Sequence, residues 1–129
     1  LKEHLNWSPL LCAPYTVDCD KELLQRIAQE DMVRGVTISC GGFFGPQGRR
    51  LRIPLADPLL NEKIMTFAYE DLRITNFEME SASLAGLAAL MGHRAMTVCC
   101  IIAGRVAQNM NTQYKDSMLD LIEKVLDRI

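Results

Sequence analysis

Aromatic side chains are scarce in this sequence, at 6% of 129 residues. Histidine is scarcer: only His4 and His93 occur, far apart and outside any ligand spacing, so no structural or catalytic metal is expected. The five cysteines include no Cys-x-x-Cys pair. Cys40, Cys99 and Cys100 sit in apolar stretches, as reduced, buried thiols do in a reducing compartment. Neither sign of charge dominates. A net charge of -2 gives no global attraction to nucleic acid or to an anionic membrane. No apolar run is long enough to span a bilayer, and the opening LKEHLNW lacks a secretory pattern. A cytoplasmic protein with neither nucleic-acid nor membrane partners is the expectation. The first residue is Leu1 rather than methionine, which leads us to expect sequence upstream.

The length is that of one ordinary domain, and 49% hydrophobic residues allow a core. Asp20 is placed to cap a helix through KELLQRIAQE, with Leu23, Leu24 and Ile27 as its apolar stripe. A strand is expected over 36–40, followed by the glycine-rich loop GGFFGPQGRR. Pro54 and Pro58 punctuate an irregular stretch. A second helix is expected over 59–71, a strand over 74–79, and an Ala/Leu-rich helix over 81–91 stopped by Gly92. The run AMTVCCIIA at 95–103 has the composition of a parallel strand covered on both faces. Helical spacing of Tyr114, Met118, Leu121, Ile122, Val125 and Ile129 predicts a last helix over 112–129. Strands alternating with helices imply an α/β layered sheet with right-handed crossovers. Ligands of such folds bind at the carboxyl ends of the strands. Three candidate sites fall there: the loop after Cys40, the NFEMES turn at 76–81, and the turn at 103–105.

NFEMES places Glu78 and Glu80 around Met79, just before an apolar helix. One reading has Glu80 serving the positive end of the helix dipole and Glu78 as a solvated strand residue. Acids two residues apart usually share a face and do not form a glycosidase acid/base couple. The other reading has a carboxylate gripping two adjacent hydroxyls, as on a ribose, over a soft methionine floor. The glycine-rich loop is neither a P-loop nor G-x-G-x-x-G. Its chemical content is Phe43, which could stack on a base, Gln47, which offers a donor and an acceptor, and Arg49, which could stabilise charge on a carbonyl oxygen. The plain alternative is that Arg49, Arg50 and Arg52 form a solvated basic patch.

The segment NFEMESASLAGLAALMGHRAMTVCCIIAGR resembles the ribose-site region of the nucleoside phosphorylase family, most closely its uridine phosphorylase branch. GVTISCGGFFGPQGR resembles that branch's uracil-recognition loop, with the same order of Thr-x-Ser, an aromatic and Gln-x-Arg. The resemblance runs from about Tyr15 onward and matches the C-terminal part of a family member. It therefore implies that residues 1–129 are the C-terminal portion of a single phosphorylase domain: an incomplete layered α/β/α domain with a mixed, largely parallel sheet.

The resemblance implies a pentosyltransferase of nucleoside catabolism and pyrimidine salvage. Its reaction would be reversible phosphorolysis of uridine to uracil and ribose 1-phosphate, with phosphate as co-substrate and no cofactor. Carried over by position, Phe43 would stack near ribose or base, and Gln47 and Arg49 would bind the uracil edge. Met79 and Glu80 would hold the ribose, with Glu78 beside it. Ile102 and Ala103 would wall the base pocket, and Arg105 would position the recognition loop. Glu80 and Arg49 would carry the catalytic weight. Gly104 stands where purine-type members and nucleosidases place an acidic residue, which weakens a purine reading. The family's phosphate-binding residues lie in an N-terminal part with no counterpart here, so this chain alone is expected to be inactive. A homo-oligomer, dimer or hexamer, is implied as well. The alternatives are a hydrolytic nucleosidase of the same fold and a non-catalytic nucleoside-binding module.

Overall fold

The computed structural model describes residues 1–104 and 108–129. In chain order its elements are α1 (Lys2–Leu5), α2 (Lys21–Ile27), β1 (Val36–Ser39), α3 (Leu60–Thr66), β2 (Ala68–Tyr69), β3 (Leu72–Glu78), α4 (Ser81–Leu90), β4 (Ala103–Gly104), β5 (Asn109–Met110) and α5 (Tyr114–Leu126). A short 3-10 turn, Gly45–Gln47, lies in the glycine-rich loop. The chain forms two compact units, residues 1–17 with 35–82, and 18–34 with 83–129. Among the described residues no helix is long and apolar enough to cross a membrane.

The first unit holds a three-stranded mixed sheet in the order β1-β3-β2. β1 runs parallel to β3, pairing Thr37 with Asn76, Ile38 with Phe77 and Ser39 with Glu78. The Thr37 hydroxyl donates to Asn76 Oδ1 at 2.9 Å, so the register is locked by side chains as well as backbone. Gly35 leads into β1 where the strands approach closely. An added Cβ there would lie 2.9 Å from the Arg73 carbonyl oxygen and closer still to the Thr75 side chain. α3 buries Ile64 and α1 buries Leu5. His4 of α1 donates through Nε2 to the Lys63 carbonyl at 2.7 Å and meets Phe67 edge-on at 5.5 Å between ring centroids.

α3 is shorter than its sequence indicated. The helix ends at Thr66, and 68–69 turns back as β2 against β3, pairing Ala68 with Arg73 and Tyr69 with Leu72. The β-branched and aromatic residues from Thr66 to Tyr69 suit a strand better than a helix. The two-residue turn is closed by Glu70 at φ 52°, an uncommon conformation for a residue with a side chain.

In the second unit α2 starts as the sequence requires: the Asp20 carboxylate accepts the Leu23 N–H at 2.9 Å. Ile27 and Ala28 at its end are buried. Arg128 donates to the Ile27 carbonyl at 2.8 Å and makes a two-pronged pair with Asp31 at 3.0 and 2.8 Å. α4 consists wholly of Ala, Leu, Gly and Ser, yet none of its residues is buried.

The expected strand over 95–103 is not formed: residues 95–102 lie outside any strand, and β4 begins only at Ala103, pairing antiparallel with β5. β-Branched apolar composition favours a strand only when a neighbouring ladder completes it. Here the segment is tied at its ends instead, through the Asp20 N–H to the Ala95 carbonyl at 2.8 Å and the Asn111 N–H to the Ile102 carbonyl at 2.7 Å.

Replacing Asp20 by alanine removes the α2 cap and is expected to lower stability by about 1 kcal/mol, with serine retaining most of it. Urea denaturation of the two variants checks this.

Candidate functional site

The parallel pairing of β1 with β3 decides where the two motifs go. Ser39 and Glu78, the last residues of their strands, are register partners. The Cys40 N–H extends the pairing by donating to the Glu78 carbonyl at 3.0 Å. The glycine-rich loop and the turn at 79–80 therefore leave the same edge of the sheet.

Glu78 is the hub of this edge. One carboxylate oxygen accepts the Ser39 hydroxyl. The other accepts the N–H groups of Glu80 and Ser81, both at 2.7 Å. The Ser39 oxygen in turn accepts the Ala82 N–H at 2.9 Å and lies 3.1 Å from the Ser81 hydroxyl. The leading N–H groups of α4, which no helix can satisfy internally, are thus taken up by an acid from β3 and a hydroxyl from β1. Burial raises the Glu78 pKa. The hydrogen bonds from the Ser39 and Ser81 side chains and from the Glu80 and Ser81 backbone outweigh it, bringing the pKa from 4.5 down to about 2.

The structure revises how the two acids divide their work. Glu78 is half-buried and hydrogen-bonded into the strand end; it is not a solvated strand residue. The chain bends at 79–80, so the two carboxylates do not lie along one extended face. Glu80 gives its backbone N–H to Glu78 while the residue stays exposed. Met79 is 37% exposed beside it. Ser39 was visible in the sequence only as part of the Thr-x-Ser order. Its capping role depends on a partner 43 residues away, which no local pattern announces.

The glycine-rich loop is closed by its own bonds. The N–H groups of Gln47 and Arg49 both donate to the Phe44 carbonyl, at 3.1 and 2.9 Å, and Gly48 N–H donates to Gly45 at 2.9 Å. Within this frame Arg49 touches both of the other expected base-binding residues. Arg49 Nη1 donates to the Phe43 carbonyl at 2.5 Å and to Gln47 Oε1 at 2.9 Å. Its guanidinium carbon stands 3.4 Å from the centroid of the Phe43 ring, a cation–π geometry. Gln47 is the one buried polar residue among those described, at 3% exposure. Arg49 is therefore folded into the loop, apart from any solvated patch, whereas Arg50 and Arg52 are exposed.

Of the remaining candidates, Ile102 is 40% exposed and Ala103 opens β4. Both belong to the second unit, and Arg105 lies outside the described residues. Gly104 follows in β4 and offers no side-chain acid.

The phosphorylase superfamily model matches residues 2–128 of this chain. A uridine phosphorylase from Thermococcus kodakarensis is 42% identical over 78 residues, covering 56% of this chain and 25% of the relative. A nucleoside phosphorylase of Trypanosoma brucei, described as showing uridine phosphorylase activity, superposes with a TM-score of 0.76 at 23% identity. That match covers 88% of this chain and 42% of the trypanosome chain. The chain thus spans a quarter of the curated relative's length, and the structural match shows a shared fold.

The Glu78 network carries a pH signature. A carboxylate whose folded pKa is depressed stabilises the fold fully above its ordinary value of 4.5 and loses that contribution as pH falls toward about 2. The stability advantage of the wild type over Glu78→Gln should be constant above the ordinary value and narrow below it. Denaturation midpoints measured across that pH range check this.

Proposed function

The chain belongs to the phosphorylase superfamily, and from that premise we propose that it holds the nucleoside in a phosphorolysis of uridine. Residues 1–129 then correspond to the C-terminal portion of one phosphorylase domain. The observation that carries the reading is the pairing of Ser39 with Glu78: a base-recognition loop and a ribose-binding turn depart from one strand edge. The uridine phosphorylase relative supports the choice of base, as does Gly104, which cannot protonate a purine leaving group.

In the proposed reaction a phosphate oxygen attacks the anomeric carbon as the bond to the uracil nitrogen breaks. The bonding pair leaves with uracil, which takes up a proton from phosphate or solvent. The transition state gathers positive charge on the sugar and negative charge on the base. Gln47 and Arg49 stabilise the latter at the carbonyl edge, so no strong general acid is required. Arg49 also covers one face of Phe43. A base stacking on that face must draw the guanidinium outward, which would couple stacking to carbonyl recognition.

Glu80 holds the ribose hydroxyls and aligns the anomeric carbon with phosphate. Its exposure leaves it accessible to a ligand, whereas Glu78 is committed to the fold. Met79 provides the apolar surface under the sugar, and the family resemblance would give Ile102 and Ala103 the wall of the base pocket and Arg105 the support of the loop. Phosphate is the only co-substrate required. A homo-oligomer belongs to the same proposal. Leu84, Leu87 and Leu90 of α4, at 57%, 59% and 87% exposure, fit burial against further protein.

The deciding experiment is uridine cleavage by the full-length gene product with and without phosphate. Cleavage that needs phosphate supports the proposal. Cleavage without it indicates a nucleosidase, and calorimetric binding of uridine without cleavage indicates a binding module. Glu80→Ala should lower turnover by roughly a hundredfold through lost orientation; retention of full activity would remove Glu80 from the site. Arg49→Ala should cost more with uridine than with a purine nucleoside, so equal losses would count against its uracil role.

A further inference from the structure

Asn61 of α3 stands outside every motif discussed so far, yet it is joined to the base-recognition loop. Its Nδ2 donates to the Gly48 carbonyl at 3.3 Å. Its Oδ1 is buried with no hydrogen-bond partner, alone in this respect among the described residues. The amide orientation follows from chemistry: turned over, Oδ1 would face the Gly48 carbonyl oxygen, and two acceptors repel. Gly48 adopts φ 69° at the end of the 3-10 turn, and a Cβ built there would lie 2.5 Å from both terminal atoms of the Asn61 amide. The close approach therefore requires glycine at 48 on two counts, backbone conformation and space.

Gly48 sits between Gln47 and Arg49, the two polar residues proposed to bind the base. We propose that Asn61 is a positioning residue for base recognition: it pins the Gly48 carbonyl to α3 and so fixes the direction in which Gln47 and Arg49 present their polar groups. The anchor is firm because α3 buries Ile64 one turn further on. An orphaned buried acceptor is costly. A contact that leaves one in place to hold a glycine carbonyl is more than a packing accident, because an apolar residue of similar size would fill the space without that cost. The inference rests on the uridine reading above and deepens it by naming what orients its base-binding loop.

The test compares Asn61→Ala and Asn61→Asp in the full-length gene product, with uridine and inorganic phosphate as substrates. Losing the bond in Asn61→Ala should raise the KM for uridine about fivefold, the equivalent of one net hydrogen bond. Aspartate has the same shape but, ionised, cannot donate to Gly48, so it should raise the KM at least as much. The KM for phosphate should stay near wild type in both variants, and the melting temperature near wild type in Asn61→Ala, whereas the unpaired buried charge lowers that of Asn61→Asp. Gly48→Ala should also cost less in the Asn61→Ala background than alone, because the obstructing amide is gone. Wild-type behaviour of both Asn61 variants in an active parent overturns the inference alone. So does a parallel rise of both KM values with a fall in turnover and melting temperature in Asn61→Ala, since that describes a merely structural residue. Full additivity with Gly48→Ala overturns it too. A parent that fails to cleave uridine with phosphate overturns the functional reading, and the inference falls with it.

Discussion

The arrangement of this chain depends on one carboxylate. Glu78 ends a strand, opens the path into α4 and accepts from Ser39 on the neighbouring strand. Parallel strands have no tight turn to hold their ends together, so the β1–β3 edge needs another tie. Glu78 supplies it, and its charge is matched to the positive end of a helix. The Ser39 hydroxyl completes the junction by donating to Glu78 while accepting from Ala82. Strand pairing, helix start and loop departure are consequences of this one junction.

That junction separates two roles that the sequence places side by side. A carboxylate that accepts from a hydroxyl and two backbone N–H groups is held rigidly in place, and a pKa of about 2 makes it a poor proton carrier near neutrality. The next acid, Glu80, contributes its N–H to the network and keeps its carboxylate outside it. A rigid acid thus holds an adjacent accessible one at the strand end. The glycine-rich loop shows similar economy: Arg49 touches a carbonyl, an amide oxygen and an aromatic face, so one cation organises a segment that glycines would otherwise leave loose.

The apolar residues behave differently in the two units. Leu5 and Ile64 are buried in one, and Ile27 and Ala28 in the other, while α4 buries none of its own. A helix apolar all round normally lies in a protein interior. The stretch 95–102 has a strand's composition without a strand's ladder. In both places composition records the environment a segment suits, and pairing determines whether that segment becomes regular structure.

Local signals were legible from residues alone: the Asp20 cap, the helical stripe of α5, the strand before the glycine-rich loop and the turn before α4. Each depends on neighbours within a few positions. The resemblance of two motifs identified the family, and their places at the carboxyl ends of expected strands gave the expectation of a common sheet edge. Only the tertiary structure decided which carboxylate is tied into the strand end. That choice depends on Ser39 lying opposite Glu78, a fact of register between strands 39 residues apart. Likewise it decided that Gln47 is buried, that Arg49 lies over Phe43 and that Asn61 reaches Gly48. Hydrogen-bond partners distant in sequence are chosen by strand register and helix placement, and residue type sets only what each partner is able to donate or accept.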